Sequence, residues 1–351
     1  MLRFIVRRLL WMFLVLFVVS VVTFGLMHSV PGGPFDKDKK VSDQVKANLE
    51  ARYHLDWPIW RQYADYAYNV LVPRITTTKP SGSLMDQYLI EFKVGSVYFR
   101  WMNFGPSYAS RSRTVNDIFR DQLPVSAQLG VYALLFAMCL GIPLGIISAL
   151  RQNTLVDYIG MTVAIFGVSV PVIVMGPILV SIFAVWLKWL PPTGWGAKPP
   201  FLLGILPKEI SPDYVRSAIM PTVALGLGSS AVLARLTRAS LLQVIREDYI
   251  RTARAKGLAE RVVIVRHALK NSLIPVATVL GPMFAALVTG TFVTEQIFGI
   301  PGMGRYFVTS ISNRDYPVIM GTILLYALVL VLANVVVDIV YALLDPRIRL
   351  S

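Results

Sequence analysis

The sequence predicts an all-α protein that crosses a membrane several times. Its mean hydropathy is +0.59 and only 15% of its residues are charged, which is too apolar for an ordinary soluble domain. The apolar residues also form long runs, each with the about 20 residues that a helix needs to cross a hydrocarbon core of about 30 Å. These observations predict six transmembrane helices, at about 9–30, 125–150, 158–186, 219–243, 273–296 and 318–344.

The first run follows Arg3, Arg7 and Arg8, like the charged start of a secretory signal. It is long, however, and Pro-Gly-Gly-Pro follows it at 31–34 without a small-x-small cleavage pattern. We therefore expect residues 1–30 to be a retained N-terminal transmembrane helix.

Basic residues predict the side of the membrane on which each connection lies. With both termini inside, the inner segments hold 15 Lys and Arg residues, whereas the short outer loops, 187–218 and 297–317, hold 6. Short loops rich in Lys and Arg stay in the cytoplasm. We expect a multi-pass protein of the cytoplasmic (inner) membrane with both termini cytoplasmic, a large extracytoplasmic loop region at 31–122 between helices 1 and 2, and five further helices within 123–351.

The net charge of +14 is explained by the same excess of Lys and Arg in the inner segments. In a multispanning protein the basic excess belongs to the cytoplasmic connections, so it does not predict binding to nucleic acid. The expected surroundings are a lipid bilayer.

Glycines and ionisable residues within the runs have structural interpretations. Gly141 and Gly145 permit close helix approach, so packing is favoured, although a role in a transport pathway stays open. Arg235, Glu295 and Asp338 fall near predicted span ends, where we expect them to pair or to reach water rather than to relay protons.

The sequence contains none of the common motifs for chemistry. It has no GxxxxGK[ST] loop, no HExxH helix and no dinucleotide glycine pattern, and its three histidines lie in unrelated segments. We expect no catalytic residue, no metal site and no cofactor in this chain. A membrane protein of this kind is passive, ion-coupled or driven by a partner.

A basic, amphipathic segment at 248–270 lies between two apolar runs. Helical phasing predicts two short helices joined by a glycine turn. The residues that share a face are Ile250, Ala253, Arg254 and Gly257 in the first helix, and Leu258, Val262, Val265 and Leu269 in the second.

The first of these helices suits contact with another protein. Its small residues, Thr252, Ala253 and Ala255, would let the backbone approach a partner groove, and its basic rim would orient the contact. The alternative is an interfacial helix that lies on anionic lipid headgroups.

The same residues resemble the Glu-Ala-Ala loop of binding-protein-dependent ABC transporter permeases. Arg251-Thr252-Ala253, then Gly257 and Leu269, is similar to the form found in the peptide and nickel group. The departures from the general permease pattern resemble the peptide-group version: Arg251 for Glu, Thr252 for Ala, His267 for Ile and Lys270 for Pro. Further motifs carry the resemblance along the chain: Met1–Phe35, Tyr53–Tyr63, Asn103–Ser107, Leu123–Ser126, Asn313–Pro317 and Leu343–Arg347.

Two details refine the resemblance. The motif Pro-Gly-Gly-Pro-Phe at 31–35 resembles oligopeptide members of the family more than dipeptide members. Residues 69–102 look like an additional stretch, and we expect it to be peripheral to transport.

The resemblance implies an ABC importer of type I permease fold, in which this chain is the first (B-type) subunit of an oligopeptide permease. It implies a heterodimer with a second homologous permease subunit, two cytoplasmic ABC ATPase subunits that hold ATP and Mg, and an extracytoplasmic peptide-binding protein. The chain itself would not be an enzyme. The implied ATPase-coupling residues are Arg251, Thr252, Ala253, Arg254, Ala255, Lys256, Gly257 and Leu258.

Other functions stay open from the sequence. Within the class, the solute could be a dipeptide, nickel or another small molecule. Outside it, an ion-coupled carrier or a non-transport membrane scaffold would have a similar composition. The residues that line a substrate path are not predicted.

Overall fold

The computed structural model describes residues 2–36, 42–78, 83–110, 112–202, 204–289 and 291–344. Contacts between residues group them into two units. The core unit comprises the described residues of 1–11, 125–302 and 328–351, and the sheet unit those of 12–124 and 303–327. This is a division by contacts, and the predicted division by membrane side, 1–30, 31–122 and 123–351, stays a prediction.

Helices account for most of the described chain. In order they are α1 Leu2–Ser29, α2 Asp43–Arg52, α3 Ile59–Leu71, α4 Val115–Leu150, α5 Leu155–Ser169, α6 Val172–Leu179, α7 Pro212–Val244, α8 Asp248–Ala255, α9 Glu260–Val262, α10 Leu269–Ser272, α11 Ile274–Thr289, α12 Phe292–Ile297, α13 Gly304–Asn313 and α14 Tyr316–Leu344. π-Helical segments, Val180–Trp186 and Val263–Ala268, continue α6 and α9. The strands are β1 Arg74–Thr76, β2 Ile90–Val94 and β3 Val97–Trp101.

The predicted apolar helices are present, but their number depends on one bend. Among the described residues, five stretches are long and apolar enough to span a membrane: Val6–Ser29, Val115–Leu150, Pro212–Ile245, Ile274–Ile297 and Tyr316–Ile339. The pair Leu155–Ser169 and Val172–Trp186 gives a sixth only if it is counted as one span. The predicted run 158–186 is therefore not one straight helix.

The bend of 103° lies between α5 and α6. Val170 has an extended backbone, with φ −94° and ψ 112°, and Pro171 follows it. Proline disfavours the helical conformation of the residue before it and provides no N–H for a helical hydrogen bond. The local sequence thus explains where the run breaks.

Close packing in the core unit depends on the glycines of α4. A Cβ atom on Gly141 would overlap the carbonyl oxygen of Ser230, and one on Gly145 would overlap that of Ala234. Only glycine lets α4 approach α7 to this distance. The packing interpretation of these two residues is confirmed.

Two of the three ionisable residues predicted near span ends, Asp338 and Glu295, have partners in the core unit, and the third is exposed. Asp338 forms an ion pair with Arg8. Glu295 is buried and accepts hydrogen bonds from the Ser126 hydroxyl, at 2.6 Å, and from the Thr291 hydroxyl. Arg235 is exposed.

The region predicted as a loop at 31–122 is ordered over much of its length. Strand β3 lies between β1 and β2 and is antiparallel to both, with Ile90 opposite Trp101. Arg100 is buried on β3 and donates to both Asp86 carboxylate oxygens at 3.2 Å. The stretch 69–102 therefore supplies the sheet and buried side chains, including Tyr88, while its peripheral role in transport stays a prediction.

A buried carboxylate joins two of the motifs singled out in the sequence. Asp315 accepts hydrogen bonds from the backbone N–H groups of Tyr108, at 3.0 Å, and Ala109, at 3.2 Å, and from the Ser107 hydroxyl. Burial raises the pKa of Asp315, and these donors oppose that rise. Asn103–Ser107 and Asn313–Pro317 thus meet in the sheet unit, whereas Leu343–Arg347 reaches beyond the described residues.

Candidate coupling site

The segment predicted to couple to a partner folds as helix, turn and helix. After α8, the N–H of Lys256 donates to the Thr252 carbonyl at 3.1 Å and that of Gly257 to the Arg254 carbonyl at 2.9 Å. Gly257 has φ +74°, a backbone conformation that costs glycine nothing and strains residues with a Cβ. The predicted glycine turn is confirmed.

The inner face of α8 is formed by Ile250 and Ala253, which are 0% and 7% exposed. They pack in one cluster with Ala149, Leu241, Val263, Ile264 and Ala268. Because residues three apart share a helix face, Ala253 follows Ile250 into this cluster. The expectation that Ala253 offers a small surface to a partner is therefore wrong.

The cluster attaches α8 to the ends of two long helices. Ala149 lies in the last turn of α4, and Leu241 lies in the last turn of α7. A movement of α8 would be passed to these helices through a buried apolar contact, since packed interiors resist deformation.

The second helical stretch does not bury the apolar face that the sequence pattern groups together. Val263, Ile264 and Ala268 are buried, whereas Leu258, Val262 and Val265 are exposed. Four apolar residues follow one another at 262–265, so periodicity alone does not decide which of them turns inward. Contact with Ile250 and Leu241 decides it.

Most of the predicted site residues lie on the surface. The exposed ones are Arg251, Thr252, Arg254, Ala255, Lys256, Gly257 and Leu258. The exposed apolar side chains of Val262 and Val265 follow the same turn and lie on the face that they were predicted to share with Leu258. We call residues 251–258, without Ala253, together with Val262 and Val265 the coupling surface.

An ion pair spans the turn. Arg254 donates from Nε and Nη2 to the two carboxylate oxygens of Glu260, at 3.0 and 2.6 Å. The guanidinium lowers the pKa of Glu260, and the carboxylate raises the pKa of Arg254. Sequence reasoning missed Glu260, although an acidic residue just beyond a glycine turn that follows a basic helix is a usable signal.

A second polar contact connects the two helical stretches. Asn271 donates from Nδ2 to the Tyr249 hydroxyl at 2.8 Å. The two residues are far apart in the sequence, so no local pattern indicates the pair.

An open pocket of about 550 Å³ lies beside α8. It is lined by Ala239, Leu242, Gln243, Arg246, Glu247, Asp248 and Arg251.

The arrangement suits mechanical contact rather than bond-making chemistry. It presents a basic helix surface that is fixed to long helices, and it gathers no nucleophile with a base. Across the ranges that the structure describes, no group of three or more His, Cys, Asp or Glu side chains could hold a metal ion.

Family models match both ends of the chain. Residues 141–350 match the model described as binding-protein-dependent transport system inner membrane component, and residues 1–84 match that of the N-terminal membrane component of such systems. The chain belongs to the family of binding-protein-dependent transport system inner membrane components. This is a family of transport permeases, and the apolar helices agree with a multi-pass membrane protein.

Relatives match this permease along its whole length. The dipeptide transport system permease protein DppB of Bacillus subtilis is 40% identical over 100% of this chain and 99% of its own length. The oligopeptide transport system permease proteins OppB of Salmonella typhimurium and Escherichia coli are each 39% identical over 99% of this chain and 100% of their own. The resemblance to peptide-group permeases, predicted from the motifs, is confirmed.

Solved structures add little. The MetNI methionine ABC transporter, in an inward-facing conformation, covers 64% of this chain and 94% of its own at 13% identity. Its TM-score against this chain is 0.46.

Proposed function

We propose that this permease is the first permease subunit of an ATP-driven ABC importer that moves oligopeptides across the cytoplasmic membrane into the cell. The proposal rests on the 39% sequence identity between this chain and the oligopeptide transport system permease protein OppB, over 99% of the chain. Identity of 40% to DppB makes dipeptide import the second candidate.

The proposal includes the partners of such an importer. A second homologous permease subunit would complete the pore, two cytoplasmic ABC ATPase subunits would bind ATP and Mg, and an extracytoplasmic binding protein would deliver the peptide. This chain would hold no cofactor and catalyse no reaction. Membership of a family of binding-protein-dependent transport components supports the presence of such partners.

The proposed topology has six spans, with both termini cytoplasmic and 31–122 outside. The excess of Lys and Arg in the inner segments supports it. In this arrangement α5 and α6, with the π-helical segment that follows, make one bent crossing. In a Cys139→Ser background, a cysteine at Lys256 should react with an impermeant maleimide only after the membrane is opened, and one at Val45 should react in sealed cells. The reverse pattern would overturn the orientation.

We assign ATPase docking to the coupling surface. The support is that α8 is fixed to the ends of α4 and α7 by Ile250, so that closing ATPases could move long helices as rigid bodies. Exposed Leu258, Val262 and Val265 beside a basic rim suit a protein groove.

The docking test uses Ala255→Trp, because Ala255 is exposed and its replacement leaves the buried cluster intact. Ala255→Ser is the matched control. Ala253→Trp would not be informative, since Ala253 is buried inside the chain. We expect the Trp variant to lose ATPase copurification or to lower ATP-driven uptake by about tenfold or more, and the Ser variant to behave as the parent. Full retention of both by the Trp variant would rule out docking at this position.

The transport test uses the whole complex in vesicles with its binding protein. Uptake of labelled dipeptides, tripeptides, longer peptides and nickel is measured with ATP on the cytoplasmic face, with and without ionophores. We expect ATP-dependent uptake that survives collapse of ion gradients and is greater for longer peptides. Uptake abolished by ionophores would indicate an ion-coupled carrier, uptake of dipeptides or nickel alone would identify another importer, and no uptake of any solute would favour a scaffold.

A further inference from the structure

Helix α3 of the sheet unit has three faces. One is packed against the protein and carries Tyr63, Tyr66 and Val70. A second is polar and carries Gln62, Asp65 and Asn69. At 100° per residue, the third face lies between them and carries Trp60, Ala64, Tyr68 and Leu71, which are all exposed.

This third face, here called the α3 stripe, is apolar and aromatic. Trp60 is 72% exposed and Tyr68 is 53% exposed. Large apolar side chains that follow one helix face for three turns need a partner other than water. The stripe does not face the protein core, because Tyr63, Tyr66 and Val70 on another face of α3 already make that contact.

Contacts of Tyr63, Tyr66 and Gln62 fix the level of α3 along α1. The hydroxyls of Tyr63 and Ser20 lie 2.8 Å apart, and His28 Nε2 lies 3.3 Å from Gln62 Oε1. Tyr63 and Tyr66 also pack on the cluster of Phe24, Met27, Ile319 and Met320. The start of α3 therefore lies beside the last turns of α1 and the first turns of α14.

These turns belong to stretches that can span a membrane, Val6–Ser29 and Tyr316–Ile339. Ser20 precedes the end of α1 by about 14 Å of helix, and the 24-residue stretch exceeds a hydrocarbon core of about 30 Å by only a few ångström. The Ser20 hydroxyl would therefore lie about 10 Å inside the edge of the hydrocarbon. Helix α3, joined to this hydroxyl through the Tyr63 side chain, would therefore lie within about 10 Å of the membrane boundary.

The side chains of α3 have the chemistry of that boundary. Trp and Tyr concentrate where acyl chains meet headgroups, and amphipathic helices lie there with polar faces toward water. Arg61 stacks on Trp57, with its guanidinium carbon 3.9 Å from the ring centroid, and such a long side chain can carry its charge to water from an apolar surface. At the same level α1 exposes the apolar side chains of Val18, Val21 and Val22, which suit contact with lipid.

We infer that α3 is an interfacial helix, which inserts the α3 stripe into the headgroup and acyl boundary of the leaflet at the C-terminal end of α1. The helix holds the sheet unit to the membrane surface and leaves its polar face toward water. This inference requires only that α1 spans the membrane, so it does not depend on the transported solute. The competing occupant is a binding protein that docks on the same stripe.

The test measures how deep each face of α3 lies in full-length protein. In a Cys139→Ser background, single Trp60→Cys, Ala64→Cys and Tyr68→Cys variants carry a nitroxide label and are reconstituted in vesicles of phosphatidylethanolamine and phosphatidylglycerol. Collision of each label with oxygen, which concentrates in the bilayer, is compared with collision with a water-soluble nickel chelate. Asp65→Cys on the polar face of α3 and Val45→Cys on α2 are the matched controls.

We expect the ratio of oxygen to nickel-chelate collisions to be several-fold higher at positions 60, 64 and 68 than at 65 and 45. An equal ratio at all five positions would overturn the inference, whether α3 lies in water or has unfolded. A stripe that is nickel-accessible in vesicles and becomes shielded only on addition of the binding protein would assign it to that protein instead.

Discussion

Helices α3 and α8 are both short, amphipathic and outside the long apolar helices, yet they place their apolar residues differently. Helix α8 puts Ile250 and Ala253 into a buried cluster and leaves a mainly polar and basic surface. Helix α3 has enough apolar residues for a packed face and for the exposed α3 stripe. The first pattern suits a protein partner and the second suits lipid.

The difference shows that amphipathicity does not identify what covers a helix. A basic amphipathic sequence at 248–270 left lipid and protein open as alternatives. Burial of Ile250 removes the large apolar side chain that would anchor α8 in lipid, so the structure favours the protein alternative for α8. The same criterion, applied to Trp60, favours lipid for α3.

The largest expected effect comes from removing the anchor of α8. Ile250→Ala should destabilise the local fold of 248–272 by about 3 kcal/mol, because it leaves a cavity in a fully buried cluster. Amide hydrogen exchange of this segment, measured by mass spectrometry, should be faster by about two orders of magnitude. The control is Val265→Ala, at a side chain 59% exposed, with an expected change within about 0.5 kcal/mol in the isolated chain. Equal effects of the two variants would show that α8 is not held by this contact.

A smaller effect is expected at the turn after α8. Gly257→Val should cost about 2 kcal/mol, since φ +74° strains a β-branched residue although a Cβ would meet no neighbouring atom. ATP-driven uptake should fall while membrane insertion persists. Gly257→Asn is the control, because Asn tolerates this backbone conformation. Uptake by the Val variant equal to that of the Asn variant would contradict a requirement for the turn.

Helix α3 should respond more weakly to loss of one contact. Tyr63→Phe removes the hydroxyl that bonds to Ser20, while the Ser20 hydroxyl keeps its bond to the Phe17 carbonyl. We expect a loss of about 1 kcal/mol in the free energy of unfolding, measured by denaturant titration in detergent. Tyr68→Phe, at the exposed stripe, should change it by less than about 0.5 kcal/mol. A larger loss at Tyr68 would mean that the packed and exposed faces were assigned in reverse.

The smallest effect concerns the ion pair across the turn. The pKa of Glu260 is lowered by Arg254, so its stabilising contribution is present above the unfolded pKa, near 4.5, and is lost as the pH falls through the folded value. Both side chains are exposed, so the contribution should be a few tenths of a kcal/mol and should shrink with salt. Hydrogen exchange of 248–272 in the parent and in Glu260→Gln should differ slightly at pH 7 and converge as the pH falls below the folded pKa of Glu260. A difference that grows on acidification would contradict the sign.

Much of the local structure was predictable from the chain. The long apolar runs and the turn at Gly257 follow from residue types within one element, because hydropathy and backbone strain are local properties. The break at Val170 also had a local signal in Pro171, although the sequence was interpreted as one helix there. The charge of the coupling surface follows directly from its composition.

Tertiary structure decided which side chains are covered. Periodicity did not show that Val263 rather than Val262 is buried, because the burial of Val263 depends on contact with Ile250 and Leu241. It also gave no indication of the hydrogen bond between Ser107 and Asp315 or of the sheet within 31–122. These outcomes rest on contacts between residues far apart in the sequence, and their free energy depends on burial that exists only once the elements have packed. The sequence by itself determined where the long apolar helices form, because hydropathy is a local property, and packing determined which faces remain for a partner or for lipid.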